Sequence, residues 1–256
     1  MKQLLKYLPI LALTLFSCTP VKKKSELHPK DQIQKTQAES RETPIPTESE
    51  VPVLHRSSYR ILPQNESSSD QSLKQFVSHL KEIVSKKDLK AFTACLDTGI
   101  IVSYGGGMAG IPDFYEDWDL TTNPGKSSLW STMRRFLKLG GAWENKDEFR
   151  IPYTQCDRLF NAIPDDLDWY QTAVCISPET VVYKHPELQS VKTSLLSYEI
   201  VWIIDNKRDD FIRIQTLDKE ISGFVEREQV VLSAESFPVL QKVNGNWKIT
   251  CFAPYD

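Results

Sequence analysis

Asp113, Glu116, Asp117 and Asp119 surround Trp118 within one short stretch. Paired carboxylates beside an aromatic platform are what glycoside hydrolysis uses: one donates a proton and the other serves as base or nucleophile. On a helix, Asp113 shares a face with Glu116 and also with Asp117. The same residues fit a solvated helix start, where acidic side chains favour the N-terminal dipole. Other chemical sets are incomplete. Gly105-Gly106-Gly107 lacks the Lys-Ser/Thr that completes a phosphate loop and reads as a tight turn. His28 and His55 fall in a polar spacer. His79 and His185 have no cysteine in a motif context beside them, so no Cys-His nucleophile is assembled. Cys95, Cys156, Cys175 and Cys251 show no C-x₂₋₄-C spacing for zinc. They read equally as disulfides, with three possible pairings, or as buried thiols. No catalytic residue, metal site or cofactor is assigned, and an enzyme reading rests on Asp113, Glu116 and Asp117 alone.

A second group of residues suits binding. Tyr183, Tyr198, Trp202 and Phe224 are the aromatics best placed to line a ligand groove. The elements that would carry them are short and β-forming. Val181-Val182-Tyr183 is a strand, stopped by Pro186. Leu195 to Ile204 is rich in Ile, Val, Tyr and Trp and reads as another. Strand alternation would put Tyr198, Ile200 and Trp202 on one face and Glu199, Val201 and Ile203 on the other. A polar turn over 205–210 precedes Phe211-Ile212-Arg213-Ile214-Gln215, which alternates as a half-buried strand does. A turn at 220–223 then opens Phe224-Val225. Short strands at close spacing argue for a small barrel over 171–234.

This segment resembles a bacterial SH3-like (SH3b) domain. Val181 and Tyr183 with Pro186, the Leu195-to-Val201 strand, Phe211-Ile212-x-Ile214 and Gly223-Phe224-Val225 carry the resemblance. It implies a small β-barrel with an aromatic ligand groove. Phe211 stands where that family usually has Trp.

The flanks are different. Leu73, Phe76, Val77, Leu80, Ile83 and Val84 form one stripe of a helix over 70–86, capped by Ser69 or Asp70. Asp88 starts a shorter helix with Leu89, Phe92 and Leu96. Ile100 to Tyr104 reads as a strand. Pro112 suits the first position of a helix, and Ser127 or Ser128 caps another that ends at Gly140-Gly141. Residues 238–256 are a hairpin around Asn244-Gly245. A helix pair, a strand with glycines and a final hairpin resemble the NTF2-like α+β cone. The resemblance implies an α+β fold with a discontinuous helical/sheet domain, 70–170 plus 235–256, and the SH3-like barrel between its parts. The hairpin should then pair with a strand at 99–104, 148–153 or 171–176.

The N-terminus speaks to location. Lys2 and Lys6 precede an apolar run of ten residues, Tyr7 to Phe16. That length suits a signal peptide and is far short of the ~20 residues that span a bilayer. Leu15-Phe16-Ser17-Cys18 resembles a bacterial lipobox, which implies a lipoprotein signal over 1–18, cleavage before a lipidated Cys18 that becomes the mature N-terminus, export, and anchoring to a membrane of the cell envelope. Residues 19–70 hold six of the fifteen prolines, no glycine and one aromatic, Tyr59. Residues 19–69 therefore read as a spacer that does not order. Residues 71–256 carry 21 Lys/Arg against 26 Asp/Glu. That excess of acid excludes nucleic acid as the main partner, which needs a basic face. The expected function is a non-enzymatic envelope lipoprotein that binds a peptide, peptidoglycan or a protein. The alternatives are a cell-wall glycan hydrolase using the carboxylates near Trp118 and a structural envelope assembly protein.

Overall fold

The structure, a computed structural model, describes residues 51–254; the expected leader with Cys18 and the spacer over 19–50 lie outside them. Strand β1 (Val53–His55) is followed by helices α1 (Gln71–Lys86) and α2 (Leu89–Cys95), strand β2 (Leu96–Ile101), and helices α3 (Ile111–Asp117) and α4 (Leu129–Leu139). Next come β3 (Ala142–Asn145), β4 (Glu148–Arg150), α5 (Asp157–Ala162), β5 (Thr172–Cys175), β6 (Thr180–Tyr183), β7 (Lys192–Leu196) and β8 (Ile200–Asp205). The chain continues through β9 (Phe211–Thr216), β10 (Ser222–Glu226), β11 (Val230–Leu232), β12 (Phe237–Val243) and β13 (Asn246–Ala253). The fold is α+β. Its strands form two separate sheets, ordered β2-β13-β12-β4-β3 and β1-β7-β6-β10-β9-β8-β5-β11. Among the described residues no helix is long and apolar enough to cross a membrane.

The five-stranded sheet is assembled from segments far apart in the chain. The apolar stripe of α1 is buried at Leu73, Val77, Leu80, Ile83 and Val84. Helix α4 buries Leu129, Trp130, Met133, Phe136 and Leu137. Both need an apolar sheet to cover. The β12–β13 hairpin supplies it. Its turn has Asn244 and Gly245 at φ 50° and 80°, the left-handed conformations a two-residue hairpin turn requires. Strand β12 pairs with β4 and β13 with β2, and neither pairs with the eight-stranded sheet. Trp247 and Ile249 share one core with Leu73, Leu80 and Val84, and the Trp247 indole donates to Ser72 Oγ at 2.9 Å. Strand β2 begins at Leu96, earlier than the expected Ile100, because α2 ends at Cys95.

Asp70 joins these parts. Its Oδ1 accepts from the Ser72 and Leu73 amides at 2.7 and 3.0 Å, capping α1, while its Oδ2 meets Lys242 Nζ of β12 at 3.0 Å. The Ser72 hydroxyl, the Leu73 amide and Lys242 hold its carboxyl well below the usual carboxylate range. A depressed folded-state value contributes stability above the unfolded pKa of about 3.9 that is lost as pH falls below it. Asp70→Ala should therefore lower the melting temperature at neutral pH, and its gap from wild type should narrow as pH falls below about 4. Melting curves of both proteins across that range check this; a gap independent of pH would show the carboxylate charge to be idle.

The eight-stranded sheet departs from the expected pattern in two places. First, Leu195 to Ile204 is not one strand. Tyr198 lies at φ 55°, in the left-handed region that breaks a strand, so β7 ends at Leu196 and β8 starts at Ile200. The backbone freed there is used by an earlier segment: Ile61 N donates to Tyr198 O at 3.0 Å, and Ile200 N donates to Tyr59 O at 2.9 Å. Second, residues 51–69 are not spacer. Strand β1 pairs in parallel with β7, Arg60 bridges to Glu199, and Ile61 is buried with Tyr153, Val174 and Ile200. Composition marked this stretch as polar, but pairing with a sheet edge needs backbone groups rather than apolar side chains. The segment then crosses Gly140-Gly141, where Glu66 N donates to Gly141 O at 2.9 Å.

Candidate functional site

The strands β7-β6-β10-β9-β8 are neighbours in the eight-stranded sheet, and β7 and β8, which are not paired, are consecutive in the chain. Leu196 of β7 and Val201 of β8 enter the same core as Val182, Ile212, Ile214 and Val225. The opposite face of β6, β10 and β9 is aromatic and charged. Phe224 lies directly opposite Tyr183 on one side and Arg213 on the other, and Glu226 opposite Phe211. Directly opposed residues share a face. The Tyr183 and Phe211 rings meet edge to face at 5.7 Å. The Tyr183 hydroxyl donates to Glu226 Oε1 at 3.4 Å, and burial, with the Glu226 charge, pushes that hydroxyl up from its usual pKa.

At the end of this face a cleft of about 870 Å³ opens between the loops 185–189, 208–211 and 226–228. Phe211 and Glu226 form its inner wall and Leu188, 55 % exposed, its rim. Its charges are mixed: Arg208 is held in a two-pronged pair with Asp210, both bonds 2.9 Å, and Arg227 approaches Glu235 at 3.6 Å. Arg227 N also donates to Asp210 O at 2.9 Å, which ties two of the loops together.

Of the four aromatics named from sequence, only Tyr183 and Phe224 are neighbours. Tyr198 sits in the turn before β8. Trp202 packs in the core with Ile61 and Tyr153 and donates its indole N–H to Gln171 Oε1 at 3.1 Å. Ile200 and Trp202 do face opposite to Val201 and Ile203, but both sides of β8 are covered by core, so neither is a free recognition surface. The acidic cluster is dispersed on and after α3. Asp113 Oδ2 accepts the Ala109 amide at 2.9 Å, and Glu116 and Asp117 are exposed. Neither the large cleft nor the next, of about 740 Å³ beside α4, is lined by Asp113, Glu116 or Asp117. The glycine run is a turn, with Val102 N donating to Met108 O at 3.0 Å. Cys95, Cys156, Cys175 and Cys251 are buried free thiols. Burial, with the Glu199 charge, pushes the Cys175 thiol up to about 12, which leaves it inert as a nucleophile.

A second cluster lies where the sequence offered only a spacer histidine. His55 ends β1. Its Nδ1 donates to both oxygens of Glu199, at 3.0 and 3.1 Å. Its Nε2 lies 3.1 Å from Asp218 Oδ2 and 3.3 Å from Glu220 Oε2, on the turn between β9 and β10. Glu199 is 0 % exposed and also accepts the Ser57 amide at 3.2 Å. Burial opposes the charge on His55, but Glu199, Asp218 and Glu220 outweigh it and raise its pKa. Burial likewise opposes ionisation of Asp218, and the Thr216 hydroxyl, the Glu220 amide and His55 still hold it below the usual range. The only local signal was the apolar pair Val53-Leu54 before His55; its partners lie more than 140 residues away.

Compared with known proteins, the chain matches no protein-family model, no curated protein and no solved structure.

Proposed function

We propose that the protein is a non-enzymatic, lipid-anchored lipoprotein of a bacterial cell envelope whose SH3-like β-module binds an extended peptide of an envelope partner. The observation that carries this reading is the cleft walled by Phe211 and Glu226 and rimmed by Leu188, at the end of the Tyr183–Phe224 face. A cleft with an aromatic and an aliphatic side chain in its lining and both signs of charge suits a peptide, whose backbone is polar and whose side chains alternate in character. The break at Tyr198 separates β7 from β8, and Leu196 and Val201 on either side of it share one core, which supports the SH3-like reading. The helices α1 and α2 over a mixed sheet completed by β12 and β13 support the NTF2-like reading of the companion unit. The anchor rests on the lipobox residues Leu15-Phe16-Ser17-Cys18.

Capture of peptidoglycan and of envelope proteins by the full chain tests the reading. Leu188→Glu and Arg208→Glu change exposed side chains and leave the fold intact. Each is expected to weaken capture at least tenfold, that is by about 1.4 kcal/mol. Capture by wild type of one of the two fractions names the partner. Capture of neither, or capture by both variants as strong as by wild type, removes the cleft from consideration. In the same cells Cys18→Ala should leave the membrane pellet; full retention there would end the lipid-anchor reading.

A further inference from the structure

We infer that His55, Asp218 and Glu220 form a binding site for a first-row divalent transition ion of the Zn²⁺ class, independent of the peptide cleft. Three donor atoms, one imidazole nitrogen and two carboxylate oxygens, lie within 4.8 Å of one another. His55 Nε2 stands 3.1 and 3.3 Å from the two oxygens. Bonds of about 2.0 Å from a tetrahedral ion require donors about 3.3 Å apart, and both histidine-to-carboxylate distances already match that spacing. The nitrogen donor selects against Mg²⁺ and Ca²⁺, which take oxygen ligands.

The arrangement behind the donors points the same way. Glu199 accepts from Nδ1, so an imidazole that gives up its other proton to an ion would present its lone pair on Nε2, the atom that faces the two carboxylates. A carboxylate on the far nitrogen is the usual support of a metal-bound histidine, orienting the ring and raising its basicity. Asp218 divides its work in a matching way. Its Oδ1 accepts the Thr216 hydroxyl at 2.6 Å and the Glu220 amide at 3.1 Å, shaping the turn, while Oδ2 faces His55. Charge supplies the second, independent argument. Glu199, Asp218 and Glu220 gather around one imidazole, and among the described residues no Lys or Arg forms an ion pair with any of them. A proton on Nε2 balances one of the three charges; a divalent ion balances two while leaving the imidazole neutral. The Glu220 side chain is 70 % exposed, which gives an ion an entry path and leaves a coordination position for water. A bound ion would staple β1 to the β9–β10 turn.

Full-length, metal-free protein titrated with ZnCl₂ at neutral pH tests the site. Asp218→Asn keeps the Oδ1 acceptor that shapes the turn, and Glu220→Gln changes an exposed side chain, so both variants fold. Wild type should bind one Zn²⁺ per chain saturably, and each variant should bind at least tenfold more weakly. Zn²⁺ should also raise the melting temperature of wild type more than that of either variant. Absence of saturable binding in wild type, or retention of wild-type affinity by either variant, overturns the proposal.

Discussion

Phe252→Ala should cost about 3–5 kcal/mol of unfolding free energy, the range for emptying a fully buried aromatic site. Phe252 is 0 % exposed. Its ring meets Phe114 at 5.8 Å and Trp118 at 5.0 Å, both edge to face. Phe114 in turn stacks near Phe92, and Phe92 meets the Trp130 ring at 5.6 Å. One side chain on β13 thus packs against α3 and its C-terminal Trp118, and through Phe114 and Phe92 joins a line of rings that reaches α2 and α4. Domains of this size are stable by only about 5–15 kcal/mol, so the variant forfeits a large fraction of the total. Urea unfolding reads the result as a lower midpoint with unchanged slope. Ile204→Ala, at the exposed end of β8, is the control and should stay within about 0.5 kcal/mol. A loss under about 1 kcal/mol for Phe252→Ala would mean that the hairpin rests on the helices without completing their core.

Gly141→Ala is the second large effect expected, a loss of about 3 kcal/mol from overpacking against backbone. A Cβ there would overlap the Arg150 carbonyl oxygen and come within 2.5 Å of the Phe149 ring. Neither neighbour can yield. Arg150 pairs with both Ala142 and Val239, so moving it opens the five-stranded sheet at β3 and β12. The preceding Gly140, at φ 83°, would place a Cβ 2.8 Å from Asn65 Cβ and from Gln64 O. The two glycines together let the segment 64–66 cross close to the end of α4. Gly125→Ala, which meets nothing within 4 Å, separates steric overlap from a general loss of chain freedom and should be close to neutral. Equal stability of the Gly141 and Gly125 variants would show that β3 and β4 relax around the added carbon.

What the sequence reveals here is local. The Asp70 and Asp88 caps, the α1 and α4 stripes and the Asn244-Gly245 turn each lie within one element, and each is found where its residues predict. The pairing partners of the hairpin were legible too, because two helices with uncovered apolar faces needed a sheet that few other segments offered. The break at Tyr198 was not. Nothing in Leu195 to Ile204 signals a left-handed residue, and the reason for it is the return of residues 59–61, which are remote in the chain. His55 escaped for the same reason. Three residues of β1 are too few for a periodicity, and the carboxylates that give the histidine meaning, Glu199, Asp218 and Glu220, come from the far side of the sequence. Gly140-Gly141 shows a mixed outcome: a helix stop by its residue type, and also a crossing point that only the fold reveals.

The long separation between β2 and β13 bears on the order in which the protein can be made. Helix α1 and strand β2 leave the ribosome some 135–180 residues before the β12–β13 hairpin that covers them. At synthesis rates of about 5–20 residues per second, their apolar faces wait roughly 10–40 s for a partner. The strands β5 to β11 are complete before then and can fold first, while Leu73, Leu80, Phe92 and Trp130 remain exposed. The delay is a hazard, because waiting apolar helices are what chaperones bind and aggregates recruit. The α+β unit therefore gains its stability late, and the folding of the helices and strands between residues 71 and 150 is timed by residues 237–253.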